Sequence, residues 1–370
     1  MSTFRVLKLS TAIISTIWLF PVTICAALQY RGGDFSSLIN LERQGVRYKE
    51  NGNTLPLEKI LQNHGANLAR IRVWTSTDDA QYSLNHALAL AKRAQAAGMD
   101  IYVDFHYSDS WADPGKQWIP SAWPKDLAGL NTRIYTRPLV SAPTLRSRCY
   151  RYTRDAVLAF QTQGTPAKYV EIGNEINDGM LWPIGRISQN GYGPLSELLH
   201  SAAAGVRDAS PSAKVMVHLA NGWNWSAMNG FFNQVFLPGK LATSDVDVLG
   251  FSFYPFYGTS ATLGNLRTSL TNIVNKLNKE VMVVEVNWPF ACPGVSLSEP
   301  RHPTGASGQL SFVANVKSIV ESLPNGKGSG IVYWEPAWIG NAGLGSSCLD
   351  NILVDNSGNV RAPSFDMFAA

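Results

Sequence analysis

Two glutamates close short apolar runs 110 residues apart, in Tyr169-Val-Glu-Ile-Gly-Asn-Glu175 and Val281-Met-Val-Val-Glu285. Carboxyls at the ends of two different strands are the usual equipment for breaking a glycosidic bond: one stays protonated to donate to the leaving oxygen, the other is ionised and attacks carbon. Each has an amide and an indole for company, with Asn174 and Trp182 on one side and Asn287-Trp288 on the other. A lone glutamate of this kind is usually a surface charge capping a strand. Two such strand ends with adjoining Asn and Trp make that the weaker reading.

The elements that must position them follow from hydrophobic periodicity. Strands are expected at Tyr30–Asp34, Leu68–Val73, Ile101–Phe105, Tyr169–Gly173, Lys214–Leu219, Val248–Phe253, Val281–Glu285 and Ile331–Trp334. Amphipathic helices are expected between them, clearest at Ser83–Ala97, Ser196–Asp208, Leu263–Leu277 and Gln309–Leu323. Eight nearly continuous apolar strands alternating with helices predict a single-domain α/β fold, a (β/α)8 TIM barrel over residues 28–370. An open doubly wound sheet is disfavoured, because no Gly-x-Gly-x-x-Gly follows a strand.

In such a barrel the chemistry sits where the strands end. The residues in the later part of the runs or just past them include Arg70, Arg72, Asp104, His106, Trp111, Asn174, Glu175, His218, Trp223, Tyr254, Glu285, Trp288, Trp334 and Glu335. Arg72, or a tyrosine hydroxyl, would hold one glutamate charged while a drier neighbour keeps the other protonated. His106 and His218 divide evenly between site and structural roles, Asp34 is expected to be structural, and Glu335 is a rival carboxylate. Asn174 suits the sugar 2-hydroxyl, and the tryptophans suit pyranose faces along an extended polymer.

The composition, 45% hydrophobic and 16% charged with 11 Trp, is that of a globular protein with a full core. Residues 1–27 read as a cleaved signal peptide: Arg5 and Lys8, an apolar run from Thr11 to Phe20, then Cys25-Ala26-Ala27. The run is short for a membrane span, so secretion is expected. The net charge of +4 is concentrated in that segment and in Arg137, Arg146 and Arg148, leaving the rest near neutral with no basic stripe for nucleic acid. Neither Cys-x-x-Cys nor His-Glu-x-x-His occurs, so no metal or cofactor is expected. Cys292 and Cys348 follow the last two strands, neighbours in a closed barrel, and are paired on that ground, which leaves Cys149 over.

One stretch breaks the pattern. A helix begins at Leu130–Tyr135 and resumes at Arg151–Leu158, with Thr136–Tyr150 and its two prolines between. This is either a surface loop or a stretch absent from the working protein, such as retained intron sequence. The second is favoured, because removal restores the helix, the charge balance and an even cysteine count.

At these residues the chain resembles the arabinogalactan endo-β-1,4-galactanases, glycoside hydrolase family 53, in the clan of retaining (β/α)8 enzymes. The matching stretches are Tyr30-Arg-Gly-Gly-Asp34, Arg70-Ile-Arg-Val-Trp74, Asp104-Phe-His-Tyr-Ser-Asp-Ser-Trp-Ala-Asp-Pro114, Ile172-Gly-Asn-Glu-Ile176, Leu181-Trp-Pro183, Asn221-Gly-Trp223, Ser252-Phe-Tyr-Pro-Phe-Tyr257, Val284-Glu285, Asn287-Trp-Pro289, Tyr333-Trp-Glu-Pro-Ala-Trp338 and Leu344-Gly-Ser-Ser-Cys348. The resemblance implies Glu175 as acid/base, Glu285 as nucleophile, Asn174 on the 2-hydroxyl, and a Cys292–Cys348 disulfide. It also places Arg72, Tyr254 and Trp334 near the cleaved sugar. The implied partner is β-1,4-galactan from pectic side chains, handled by a secreted monomer without nucleic acid or membrane. The chain departs from the family pattern at Gly33, Asn177 and Ala220, where relatives carry a larger residue, an Arg and an Asp.

Overall fold

The structure is a computed structural model describing residues 28–76, 81–125 and 144–369. The expected signal segment, the helix start at Leu130–Tyr135 and residues 136–143 lie outside the described residues.

Strands β1 (Tyr30–Asp34), β4 (Leu68–Val73), β5 (Asp100–Phe105), β6 (Ala167–Glu171), β7 (Lys214–Leu219), β8 (Val248–Phe253), β9 (Glu280–Val286) and β10 (Gly328–Trp334) close into a parallel barrel. Each pairs with its sequential neighbour, and β1 with β10 completes the ring. A short antiparallel hairpin, β2 (Tyr48–Glu50) and β3 (Asn53–Leu55), lies beside it. This is the expected TIM barrel, with strand bounds shifted by one to three residues at most.

Side-chain alternation along the strands builds two cores. Tyr30, Leu68, Tyr102, Tyr169, Met216, Val248, Met282, Val284 and Val332 fill the barrel interior. The opposite faces, among them Ile71, Val73, Val103 and Val217, pack against the surrounding helices. Among the described residues these are α1 (Leu38–Arg43), α2 (Leu57–Asn63), α3 (Leu84–Ala96), α4 (Leu145–Thr162), α5 (Ile187–Asn190), α6 (Tyr192–Ala209), α7 (Trp225–Val235), α8 (Leu263–Leu277) and α9 (Ala306–Glu321). Ser83, Thr144, Asn224 and Thr262 cap α3, α4, α7 and α8 by accepting a backbone N–H three residues on.

The described part of Thr136–Tyr150 lies at the start of α4. Its last six residues form the first turns of α4, continuous with Arg151–Leu158. Leu145 and Cys149 are buried, Arg146 pairs with Glu197 of α6 at 3.3 Å, and the Tyr150 hydroxyl donates to Asp208 at 2.5 Å. A Cβ on Gly205 would come within 2.6 Å of the Tyr150 carbonyl oxygen, so the two helices touch through a position that tolerates only glycine. The prolines fall before the helix, so they interrupt nothing within it. Arg146 is not a charge without an acid, and Cys149 is a buried thiol with no disulfide partner.

Candidate active site

The carboxyl ends of the strands open into a cleft of about 740 Å³. Its floor is a charge cluster organised by Arg70, which alternation on β4 turns into the barrel. The guanidinium is buried and reaches Asp34, Asp104 and Glu171 at 3.1 Å each, and Glu285 at 2.9 Å. Burial opposes charging Arg70, but the carboxylates around it raise its pKa well above the ordinary value. Burial likewise opposes charging Asp104, yet Arg70 and His106 hold it well below the usual carboxylate range. Glu171 is shifted the opposite way: burial dominates and raises its pKa well above the ordinary value, against the pull of Arg70.

Glu285 reaches this floor because β9 carries an extra residue. Phe251 pairs with Val283 while Ser252 pairs with Glu285, and the register against β10 slips at the same place. Met282 and Val284 face the barrel interior, so strict alternation would send residue 285 outward. The bulge turns it in, a common device beside active sites. There Glu285 accepts from Arg70 and from the Tyr254 hydroxyl at 2.7 Å.

Glu175 follows β6 after the turn Ile172-Gly-Asn174. Gly173 has φ 119°, a conformation that L side chains rarely adopt, and Glu175 itself has φ 49°. Such left-handed geometry away from glycine is uncommon and marks a strained, functionally placed residue. Its Oε1 accepts from the Ser252 hydroxyl at 2.6 Å. Burial first, and the negative charge of Glu285 second, push its pKa up to about 8 against the opposing pull of Ser252 and Arg70. One carboxyl retains its proton at neutral pH while the other is held by a cation and a phenol.

His106, Trp111, Asn174, Trp223, Tyr254 and Trp334 line the cleft with the two glutamates. The Ala112 N–H donates to Nδ1 of His106, so Nε2 carries the hydrogen and donates to Asp104. Asn174 accepts from Arg70 at 2.8 Å and donates one amide hydrogen to the Ala112 carbonyl. Three expected sugar contacts stand elsewhere. Arg72 is buried, bonded to Glu335 and Asp34, with its guanidinium stacked 4.2 Å from the Tyr82 ring and 4.4 Å from Trp111. It props the aromatic wall from behind. His218 is wholly buried between Glu171 and Ser252, and Trp288 packs on Phe312 with its N–H on the Pro303 carbonyl. None of the three borders the cleft; each finds its hydrogen-bond partners within the protein.

Sequence reasoning missed Arg70 as the hub, although Arg70-Ile-Arg72 shows both arginines on one strand face. It also missed Ser252, two residues before Tyr254 at the end of β8, and the cleft residues Trp338 and Asn341, while Asn287, singled out beside Glu285, does line the cleft. Glu335, the rival carboxylate, pairs with Arg72 and the Ser37 hydroxyl and does not border the cleft. Two of the departures from the family pattern meet: the Asn177 amide accepts from Ala220 N at 2.8 Å and donates to Ala220 O at 3.1 Å. The disulfide joins Cys292 to Cys348.

A closed parallel barrel with two opposed carboxyls at the bottom of an aromatic cleft is the architecture of a barrel glycoside hydrolase. Residues 30–368 match the model of glycosyl hydrolase family 53, and the chain belongs to that family. It is 46% identical over 341 residues to the arabinogalactan endo-β-1,4-galactanase of Thermothelomyces thermophilus, covering 90% of this chain and 97% of that protein. The corresponding enzyme of Aspergillus niger is 44% identical over 342 residues, covering 90% and 93%. A solved fungal β-1,4-galactanase superposes with TM-score 0.85 at 45% identity, over 92% of this chain and 99% of that one. The family 53 catalytic domain of Ignisphaera aggregans gives 0.77 at 27% identity, over 94% and 98%.

Proposed function

We propose that the protein is a secreted endo-β-1,4-galactanase that cuts galactan side chains of pectin by retaining double displacement. The observation that carries this is the asymmetry of the carboxyl pair: Glu175 raised to about 8, Glu285 bonded to Arg70 and Tyr254. In the first step Glu285 attacks the anomeric carbon while the Glu175 proton passes to the glycosidic oxygen. The C–O bond breaks and a glycosyl ester forms on Glu285. In the second, water attacks that carbon, Glu175 takes the water proton, and the ester bond breaks to restore both carboxyls. Asn174 retains one amide hydrogen for the sugar 2-hydroxyl, a contact that strengthens in the transition state.

Endo action is supported by the open cleft and its aromatic cluster, in which the Trp111 ring packs 6.2 Å from Trp334 and 6.1 Å from Trp338. Secretion is supported by the basic and apolar N-terminal segment together with a disulfide, which forms in oxidising compartments. Among the described residues no helix is long and apolar enough to cross a membrane.

The test is reducing-sugar release from linear β-1,4-galactan, with proton NMR of the first product. Release of the β-anomer is expected. Initial release of the α-anomer would overturn the retaining mechanism, and silence from folded protein would overturn the enzymatic reading.

A further inference from the structure

Behind the acid/base carboxyl runs a line of buried polar atoms that sugar hydrolysis does not itself require. Glu171 Oε1 lies 2.7 Å from Nδ1 of His218, Nε2 of His218 lies 2.8 Å from the Ser252 hydroxyl, and that hydroxyl lies 2.6 Å from Oε1 of Glu175. Glu171, His218 and Ser252 are all buried to within 1% of complete exclusion from solvent. Three residues from three strands, β6, β7 and β8, thus end on one oxygen of one glutamate.

The direction of the chain follows from counting hydrogens. Ser252 has one hydrogen; if it donates to Glu175, its oxygen has to accept from Nε2, which then carries a hydrogen. Burial pushes the His218 pKa down to about 3, so the ring is neutral and Nδ1 is left as an acceptor. Its nearest partner is Glu171 at 2.7 Å, whose pKa burial raises. The Asn174 carbonyl oxygen also lies near Nδ1, at 3.1 Å, but it is already held by Arg70 and the Glu171 contact is the shorter.

We propose that Ser252 and His218 are positioning residues for the acid/base: His218, anchored by Glu171, aims the Ser252 hydroxyl at Oε1 of Glu175 and reserves Oε2 for delivering and retrieving the proton. This rests on the assignment of Glu175 as acid/base. A carboxylic acid with two equivalent oxygens can carry its proton on the wrong one. With Oε1 committed as an acceptor, the proton resides on the oxygen that faces the leaving group. When Glu175 has donated, the same hydroxyl meets a carboxylate, and a hydrogen bond to the charged form favours it. The device therefore both orients the acid and tempers its raised pKa.

The other groups facing Glu175 are Glu285 across the cleft, Arg70 below it, Asp113 with its partner Lys116 on the loop after β5, and Tyr254 and Tyr257 after β8. Those facing His218 are Glu171, Glu285, Arg70, Asp104 and His106. None of them supplies Glu175 with a second hydroxyl donor on Oε1, so Ser252 can be tested alone.

The experiment compares wild type with S252A, S252T, H218L and H218Q, each checked by thermal melting, and with Glu175→Ala as reference. kcat/KM is measured against pH on β-1,4-galactotetraose and on a 2,4-dinitrophenyl β-galactobioside, whose leaving group needs no proton. Loss of a donor to the ionised form raises the acid's pKa, so S252A is expected to move the alkaline limb up by about one pH unit. It is also expected to lose roughly tenfold more on galactotetraose than on the aryl substrate, the size of a general-acid contribution in part. S252T keeps the hydroxyl and the wild-type limb. H218L moves the limb as S252A does, and H218Q, which keeps an N–H for Ser252, restores it. An unmoved or lowered limb in S252A, or equal losses on both substrates, overturns the proposal. Wild-type activity in Glu175→Ala would instead overturn the acid/base assignment beneath it; loss there with an unmoved limb in S252A defeats this inference alone.

Discussion

Replacing Arg70 with methionine removes a cation from the middle of four carboxyls while keeping an apolar stem of similar length. Breaking a buried ion pair by deleting one partner costs about 3–5 kcal/mol, since the survivors stay buried. The survivors here are not abandoned: Asp34 keeps Arg72 at 3.4 Å, Asp104 keeps His106 at 3.0 Å, and Glu285 keeps Tyr254 at 2.7 Å. The loss therefore falls toward the lower end, about 3–4 kcal/mol at neutral pH. With an unfolding entropy of about 2.1 cal/mol/K per residue over roughly 340 residues, that lowers Tm by about 5 °C. The pH dependence gives the sharper test. A carboxyl held below its unfolded pKa, as Asp104 is, contributes stability fully above that pKa and loses it as pH falls through the folded value. Without Arg70 that depression goes, and protonation relieves the repulsion among the remaining acids. The gap between wild type and R70M is thus widest near pH 7 and narrows below about pH 5. Calorimetry at pH 7 and pH 4 reads it directly. Equal Tm values, or a gap that widens in acid, would refute the account of Arg70 as the cation that holds the floor together.

The remaining expectations concern chemistry and the loops. On galactan, kcat/KM should fall above a limb near pH 8, because Glu175 has to be protonated to act as acid; a limb far below that in a stopped assay on short oligosaccharides contradicts the burial argument. Glu175→Gln should lose about 10²–10⁴-fold on galactan and far less on a dinitrophenyl galactoside, measured side by side. Tyr254→Phe removes one of two donors to Glu285 and is expected to lower kcat by about tenfold or more with little change in KM, whereas a pure KM effect would make Tyr254 a binding residue only. Cutting the Cys292–Cys348 link, which spans 56 residues, by the double serine variant should cost about 4 kcal/mol on the loop-entropy model, seen as a lower Tm without loss of the barrel's far-UV signal.

Much of the barrel was legible because buried parallel strands are written as short apolar runs. Four of the eight expected strands, Tyr30–Asp34, Leu68–Val73, Lys214–Leu219 and Val248–Phe253, have the observed bounds. The two glutamates were legible for a related reason: a carboxyl, an amide and an indole after an apolar strand have few structural uses. What periodicity could not give was depth. His218, Arg72 and Trp288 follow strands as His106, Trp111 and Trp334 do, yet stand one layer further from the cleft because each finds a protein partner that the sequence places far away. The N-terminal turns of α4 were obscured by prolines at 138 and 143, which precede the helix, and by the fact that Gly205, their docking point on α6, lies 55 residues beyond Tyr150. The bulge in β9 leaves no mark in Val281-Met-Val-Val-Glu-Val286, since a slip is defined only against the neighbouring strands.

That bulge separates holding a sugar chain from cutting it by a single backbone unit. The tryptophan wall, the Arg72 support and Glu175 all hang from other strands and would keep their places if β9 ran in regular register without its bulge. Glu285 would then join Val283 on the helix-facing side, and the same cleft would become a lectin-like groove. In this barrel the distance between cutting a sugar chain and merely holding it is therefore one register slip on one strand, with no change in any side chain.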